Sequence, residues 1–419
     1  MKLVAAALAL AAVAAACGPS RDEERVTLRL WAMGREGEDV RQLIPEFERQ
    51  NPAIRVRVQQ MPWTAAHEKL LTAHVGESTP DVSQLGNTWV PEFAALDALE
   101  PLDQWVARSA TMNVGDFFPG IWATNVVNDT LYGVPWYVDT RVLFYRSDIL
   151  RRAGYGRPPA TWSDWVTAME RIKALGGRDQ YPILLPVEEW AQPVIFGLQN
   201  GAPLLRDGGR YGAFTDPRFK AALDFYISLY RRGLAPLVAS QQVANPFQEF
   251  ARGGIAMWIT GPWNIGELRK RLPPELQDDW STTPLPGPTG PGVSNAGGSS
   301  VVMFRGSRHK AEAWKLIEYL TASEQQRRFF RLNGDLPARE SAWRESALAG
   351  DDKALAFLEQ LRRVQPMPKV PEWEQIAQRV AQAAEQVARG QRSADQALAA
   401  LDRDVNDMLE KRRWMLTRR

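Results

Sequence analysis

Sixteen tryptophans set against three histidines and a single cysteine decide which chemistries this chain of 419 residues can carry. His67 and His74 stand seven positions apart and His309 is remote. The H-x-x-x-H and Cys/His spacings from which zinc sites are built are therefore missing. The one cysteine, Cys17, lies near the N-terminus, which leaves neither an intrachain disulfide nor a Cys–His nucleophilic pair. No metal, no cofactor and no catalytic residue is expected. Tryptophan points elsewhere. An indole is costly to bury whole because its N–H needs a partner, so a chain this rich in Trp presents flat apolar rings somewhere. The C–H faces of sugars stack on such rings. A sugar also asks for carboxylates, amides and guanidinium groups, which make paired hydrogen bonds to hydroxyls. Once buried, such groups reject ligands that lack hydroxyls. Lys plus Arg total 51 against 49 Asp plus Glu, and this near-neutral balance gives no electrostatic ground for binding nucleic acid.

The elements that must position these side chains begin after an address. Met1-Lys2 is a short basic start, and Leu3–Ala15 is an apolar run that ends at Ala16-Cys17-Gly18. The run is shorter than the roughly 20 residues a bilayer span needs, so residues 1–16 read as a signal peptide. Placing the sole Cys directly after it resembles a bacterial lipobox. That implies a lipidated Cys17 as the mature first residue, with residues 17–25 as anchor and tether. A plain secretory peptide cleaved near Ala16 is the other reading. No later stretch approaches membrane length, so the remainder is expected to be soluble.

Val26, Leu28 and Leu30 alternate with polar residues, as do Ile54, Val56 and Val58, which is strand period. Between them, residues 37–50 carry Val40, Leu43, Ile44 and Phe47 on one helical face, and Pro45 predicts a kink or break there. Residues 64–75 read as a helix and Asp81–Leu85 as a strand. This strand–helix alternation predicts a mainly parallel sheet covered by helices. The style resumes at Val142–Tyr145, in a helix opened by Thr161, in strands near 183–185, 253–258 and 301–304, and in helices over 216–232 and 308–320. Residues 284–298, rich in Pro, Gly, Ser and Thr, predict a loop or crossing. Ser393 and Gln396 form a capping box for the last long helix.

Several runs then resemble extracellular solute-binding protein family 1, which includes maltose- and trehalose-binding proteins. They are Ser78-Thr79-Pro80-Asp81-Val82 with Gly86-Asn87-Thr88-Trp89 and Pro101-Leu102-Asp103; Gly133-Val134-Pro135-Trp136-Tyr137-Val138-Asp139-Thr140-Arg141; Pro158-Pro159-Ala160-Thr161-Trp162; Gly261-Pro262-Trp263; and the stretch from Pro371 to Val405. The resemblance covers nearly the whole mature chain in the family's order. It implies an α/β fold of the periplasmic-binding-protein type II, with two lobes, three hinge crossings and a cleft between the lobes. The crossings fall near 138–142, 293–300 and 332–338. Lobe one would be 26–139 plus 300–333, and lobe two 141–294 plus 336–419.

The resemblance also places the site. Trp263, on a Gly-Pro turn after a strand, is the expected stacking ring, and Asp139 at the first hinge the expected hydroxyl acceptor. Arg141 would orient Asp139 or touch sugar itself. Trp136 and Tyr137 face opposite sides of one strand, so one of them sees the cleft; Trp136 is carried forward. Gly298 and Ser299, in the run Gly297-Gly298-Ser299, let a ligand approach bare backbone. Asn87 and Thr88 follow the third strand, where relatives often hold a carboxylate. Arg35, Trp63, Trp190, Arg339 and Trp373 complete the expected set. For Trp263 the competing role is a core ring pinning the turn, and for Asp139 a hinge hydrogen bond or helix cap.

The implied function is the extracytoplasmic substrate-binding subunit of an ABC sugar importer. It would be a monomer that closes on a di- or oligosaccharide and docks on membrane permease subunits. Two other classes stay open. A binder of a polyol, a glycerol phosphate ester or a peptide is one; a phosphate ligand would favour clustered Arg or Lys in the cleft. A secreted glycoside hydrolase is the other, and it needs two flanking carboxyls that no motif supplies.

Overall fold

The computed structural model describes residues 25–177, 179–243, 245–344 and 347–416. The signal segment and Cys17 lie outside the described residues. Ten strands build two principal sheets. In chain order they are β1 (Val26–Met33), β2 (Ile54–Met61), β3 (Val82–Gly86), β4 (Gly133–Asp139), β5 (Val142–Arg146), β6 (Tyr181–Leu184), β7 (Ile255–Thr260), β8 (Trp280–Thr283), β9 (Gly297–Met303) and β10 (Leu336–Pro337).

The first sheet runs β10-β4-β9-β3-β1-β2, and the second β8-β5-β7-β6. β1 pairs in parallel with both β2 and β3, so the strand–helix alternation read from the sequence gives the parallel half of the first sheet. β9 then inserts antiparallel between β3 and β4. In the second sheet β7 is parallel to β6 and antiparallel to β5. This is the two-lobed α/β architecture expected, but the sheets are mixed and not mainly parallel, because β4, β5, β8, β9 and β10 pair antiparallel.

Local chemistry sets the element ends. Pro45 does break its helix: Glu36–Asp39 is one short turn, a 3-10 turn follows over Val40–Gln42, and a new helix starts at Ile44. Pro45 then sits in the first turn, where its missing N–H has no carbonyl to serve. Thr161 caps the helix Trp162–Leu175 by accepting from Asp164 N. Asp216 caps Pro217–Arg231 through Arg218 N. Ser393 and Gln396 form the full capping box ahead of Ala394–Met408. Ser393→Ala removes one acceptor at an exposed helix start. It is expected to cost about 1 kcal/mol, read as a lower urea midpoint at unchanged m.

Each sheet buries its own apolar face. The second-sheet core gathers Trp165, Phe196, Phe214, Phe219, Tyr226 and Trp373 around β5, β6 and β7. Beside the first sheet, Trp31, Met33, Leu70, Phe93 and Phe304 form one cluster. Phe47, Phe118, Trp136 and Phe329 belong to another, which runs on to Phe144 and Trp280 of the second sheet.

Three segments lie together where the chain passes between sheets. Only Thr140 and Arg141 separate β4 from β5. Thr140 Oγ1 donates to Asn295 O at 2.8 Å, and Ser294 Oγ donates to Arg141 O at 2.9 Å. Ser294–Asn295 also pairs in parallel with Val364–Gln365. β10 belongs to the first sheet, on the edge of β4, where the sequence expectation put residues from 336 onward with the second lobe. The segment that follows stays with it: Trp343 Nε1 donates to Pro337 O, and its ring meets Phe118 edge-on. The helix Asp352–Leu361 then packs on β8.

Candidate functional site

Period two along β4 decides what its end presents. Tyr137 and Asp139 lie on the same face, and Trp136 on the other. Tyr137 and Asp139 line a cleft of about 490 Å³ between the sheets. Its first-sheet wall carries Glu36, Trp63, Asn87, Thr88, Trp89 and Asp335, from the loops after β1, β2 and β3 and the turn before β10. Its opposite wall carries Trp190, Trp263, Met367 and Glu374, and its floor is the crossing backbone at Gly297, Gly298 and Ser299.

Four indoles thus face one space, two from each side. Trp63 and Trp89 meet edge to face with centroids 5.5 Å apart, and His67 braces Trp89 from behind at 5.0 Å. Glu92 Oε2 accepts from His67 Nε2 at 2.6 Å and raises the imidazole pKa against the opposing effect of burial. Trp190 stands edge-on to Trp373 at 5.8 Å. Trp263 opens the helix Trp263–Arg271 and is 49% exposed, far more than a packed ring.

The polar groups are mostly acceptors. Tyr137 Oη donates to Glu36 Oε1 at 2.9 Å and accepts from Ser299 Oγ and Gln84 Nε2. Burial, and then the nearby Asp335 and Glu36 carboxylates, keep the phenol far above its ordinary pKa. Arg141 Nη1 donates to Asp139 Oδ1 at 2.5 Å. Burial raises the Asp139 carboxyl above its usual range, with Arg141 pulling against it. Asp335 Oδ2 is enclosed without a partner. Burial, followed by the charges of Glu36 and Asp139, pushes that carboxyl well up. Asn87 is 4% exposed; its Oδ1 accepts from Ser300 Oγ, while its Nδ2 is buried with no partner. A buried donor left unpaired costs about 1–3 kcal/mol, so the geometry asks for an acceptor at that spot.

Eight of the twelve residues expected from the sequence line this cleft: Trp63, Asn87, Thr88, Asp139, Trp190, Trp263, Gly298 and Ser299. Four do not. Arg35 points outward, with Nε 3.3 Å from Asp39 and a bond to Leu332 O. Its neighbour Glu36 takes the cleft position. Trp136 is 1% exposed and stacks on Phe329 at 4.4 Å. Arg339 is buried in the first-sheet core, donating to Thr321 O and lying over Phe117 at 4.2 Å. Trp373 is fully buried behind Trp190, and Glu374 is the group that reaches the cleft. The sequence reading missed Tyr137 as the member of its pair that faces the cleft, although sitting two residues before Asp139 was the available signal. Trp89 lay in the quoted run Gly86-Asn87-Thr88-Trp89 but was not carried forward; nothing local marked Glu36, Asp335, Met367 or Glu374.

A larger depression of about 790 Å³ lies at the other end of the first sheet, among Arg29, His74, Asp97 and Arg305. No tryptophan lines it, and Arg29 pairs with Asp81 and Arg305 with Asp97. Among the described residues no cluster could hold a metal ion, and no helix is long and apolar enough to cross a membrane.

Residues 33–327 match the family described as bacterial extracellular solute-binding protein. The structure of the sugar-binding protein MalE from Xanthomonas citri superposes with a TM-score of 0.92 at 51% identity, covering 94% of this chain and all of that one. The diacetylchitobiose-binding protein DasA of Streptomyces coelicolor is 27% identical over 376 residues, 86% of each chain. A putative binding protein of Brucella abortus is 27% identical over 369 residues, 87% of this chain and 88% of its own.

Proposed function

The chain belongs to the bacterial extracellular solute-binding protein family, and on that footing we propose that it is the sugar-capture subunit of an ABC importer, taking a di- or oligosaccharide between its lobes. The observation that carries this reading is the pairing of four cleft indoles with a rim of hydroxyl acceptors. Trp63 and Trp89 on one wall and Trp190 and Trp263 on the other offer surfaces to more than one sugar ring. Glu36, Asp139, Asp335 and Glu374 accept from hydroxyls, and Asn87 Nδ2 donates to a ring or glycosidic oxygen. The sugar-binding names of the relatives support the same class. Closure would bring the walls onto one ligand, and the closed form would dock on permease subunits.

The cleft disfavours a phosphate ester. Its one guanidinium among the described residues, Arg141, is already paired with Asp139, so a dianion would find no free cation there and would meet the Glu36 and Glu374 carboxylates. The family's members are solute binders, not enzymes, and we read this chain the same way. Incubation with maltose, trehalose and N,N′-diacetylchitobiose should release no monosaccharide; steady release would make it a hydrolase. Export through residues 1–16 and lipid anchoring at Cys17 complete the proposal. Cys17→Ser is expected to move the protein from the membrane fraction to the soluble fraction, and equal partition of the two forms would refute the anchor.

The test of the binding role is a thermal-shift panel of neutral di- and oligosaccharides on protein beginning at Gly18. A ligand that binds only the folded state adds about 2.7 kcal/mol at a hundred times its Kd. An upward shift of several degrees is expected for at least one sugar and none for glycerol phosphate. A shift with glycerol phosphate alone would overturn the carbohydrate assignment.

A further inference from the structure

Arg141 stands where the two principal elements of the proposed site meet. It follows β4, with only Thr140 between it and Asp139. Its Nη1 donates to Asp139 Oδ1, and its guanidinium carbon lies over the Trp263 ring, 4.7 Å from the centroid. The indole itself rests against bare backbone, because a Cβ built on Gly261 would fall 2.1 Å from its ring. Backbone therefore closes one side of the ring. The stacked, ion-paired Arg141 side chain is only 18% exposed.

A bound sugar would claim the same two partners. One hydroxyl would donate to the Asp139 carboxylate, and a C–H face would cover the Trp263 ring. A guanidinium offers a matching pair of features: donors along its edge and a flat, weakly hydrated face that stacks on aromatics. We infer that Arg141 is a resident stand-in for the ligand, covering Trp263 and satisfying Asp139 in the empty cleft until a sugar displaces it. The inference rests on reading Trp263 and Asp139 as sugar contacts. Glu189, next to Trp190, feels the charge of Arg141, which opposes the rise in its pKa that burial causes.

The stand-in has two consequences. It keeps part of the indole covered and the Asp139 carboxylate paired while no ligand is present. It also competes with the ligand, so that affinity reports a difference between two stacked states. Arg141→Lys separates these effects, because an ammonium keeps the charge pair with Asp139 but cannot cover the ring.

The experiment measures Kd by calorimetry for maltose, trehalose and maltotriose with wild type, Arg141→Lys and Arg141→Ala, each checked for an unchanged far-ultraviolet spectrum. Arg141→Lys is expected to bind about three- to tenfold more tightly, in the range a single competing contact spans. Without any sugar, acrylamide quenching of tryptophan should rise in Arg141→Lys, and this rise should vanish in a Trp263→Phe background. Unchanged or weaker binding by Arg141→Lys, with no change in ligand-free quenching, would overturn the inference and make Arg141 a direct sugar contact or a bystander. If Arg141→Ala does not fold, Arg141→Lys and the quenching comparison still decide. Failure of the carbohydrate reading looks different: wild type would bind none of the sugars, or Trp263→Ala would bind as tightly as wild type.

Discussion

Trp263→Ala is expected to weaken sugar binding by about tenfold or more while leaving the fold intact. The ring is 49% exposed, so roughly half of a side chain that offers about 150–250 Å² waits to be covered. At about 25 cal/mol per Å², covering some 80–100 Å² is worth about 2 kcal/mol, and tenfold in Kd is about 1.4 kcal/mol. The fold should survive, since about half of the side chain is already in water and Trp263 begins its helix instead of sitting inside it, so the stability cost is expected to stay well below that of a fully buried ring. Trp373→Ala provides the contrast. That ring is fully buried in the second-sheet core, so its loss should cost about 3–5 kcal/mol of stability and disturb binding only through Trp190. Calorimetric Kd and urea unfolding of both variants check the pair. Unchanged affinity in Trp263→Ala would remove it from the site.

Gly298→Ala is expected to destabilise the protein by about 2–4 kcal/mol and to abolish tight binding with it. Gly298 has φ +116, a conformation closed to L side chains. A Cβ there would fall 2.3 Å from Tyr137 O and 2.8 Å from Val138 Cα. Neither atom can yield cheaply, because both belong to β4, which pairs with β9 at this point. Moving β4 would also move Tyr137 and Asp139, which ties the stability loss to a binding loss. Backbone strain of this kind is worth about 1–3 kcal/mol before the steric overlap is added. Gly306→Ala is the control: its φ is ordinary and a Cβ would lie 3.4 Å from Thr79 Oγ1, so a change within about 0.5 kcal/mol is expected. Chemical denaturation distinguishes the two, and equal stability would show that the crossing backbone can relax.

The three near misses in the site share one cause. Arg35, Trp136 and Trp373 each lie beside a residue that does line the cleft: Glu36, Tyr137 and Glu374. Motif and composition located the segment; the phase of the backbone chose the side chain. On a strand one residue flips the face, so Trp136 stacks on Phe329 while Tyr137 meets the cleft. At the start of Trp373–Ala388 the helical phase turns Trp373 into the core and Glu374 outward. Arg339 failed differently. It sits beyond β10, and because β10 joins the first sheet, its side chain is drawn into that core beside Asp116 and Phe117.

What the sequence by itself determined was the list of elements and the class of chemistry. Alternating apolar residues, caps and proline placement are local effects within a few residues, so β1, β2, the Pro45 break and the Ser393 box were legible from the chain alone. The scarcity of His and Cys and the excess of Trp are compositional and need no structure. Only the tertiary structure decided which indoles share a space, that Asp335 from the turn before β10 sits near Glu36 and Asp139, and that Arg141 lies on Trp263. Those juxtapositions join residues as far apart as Glu36 and Asp335, and they follow from how two sheets and three crossings pack against one another. No local propensity encodes a distance of that kind.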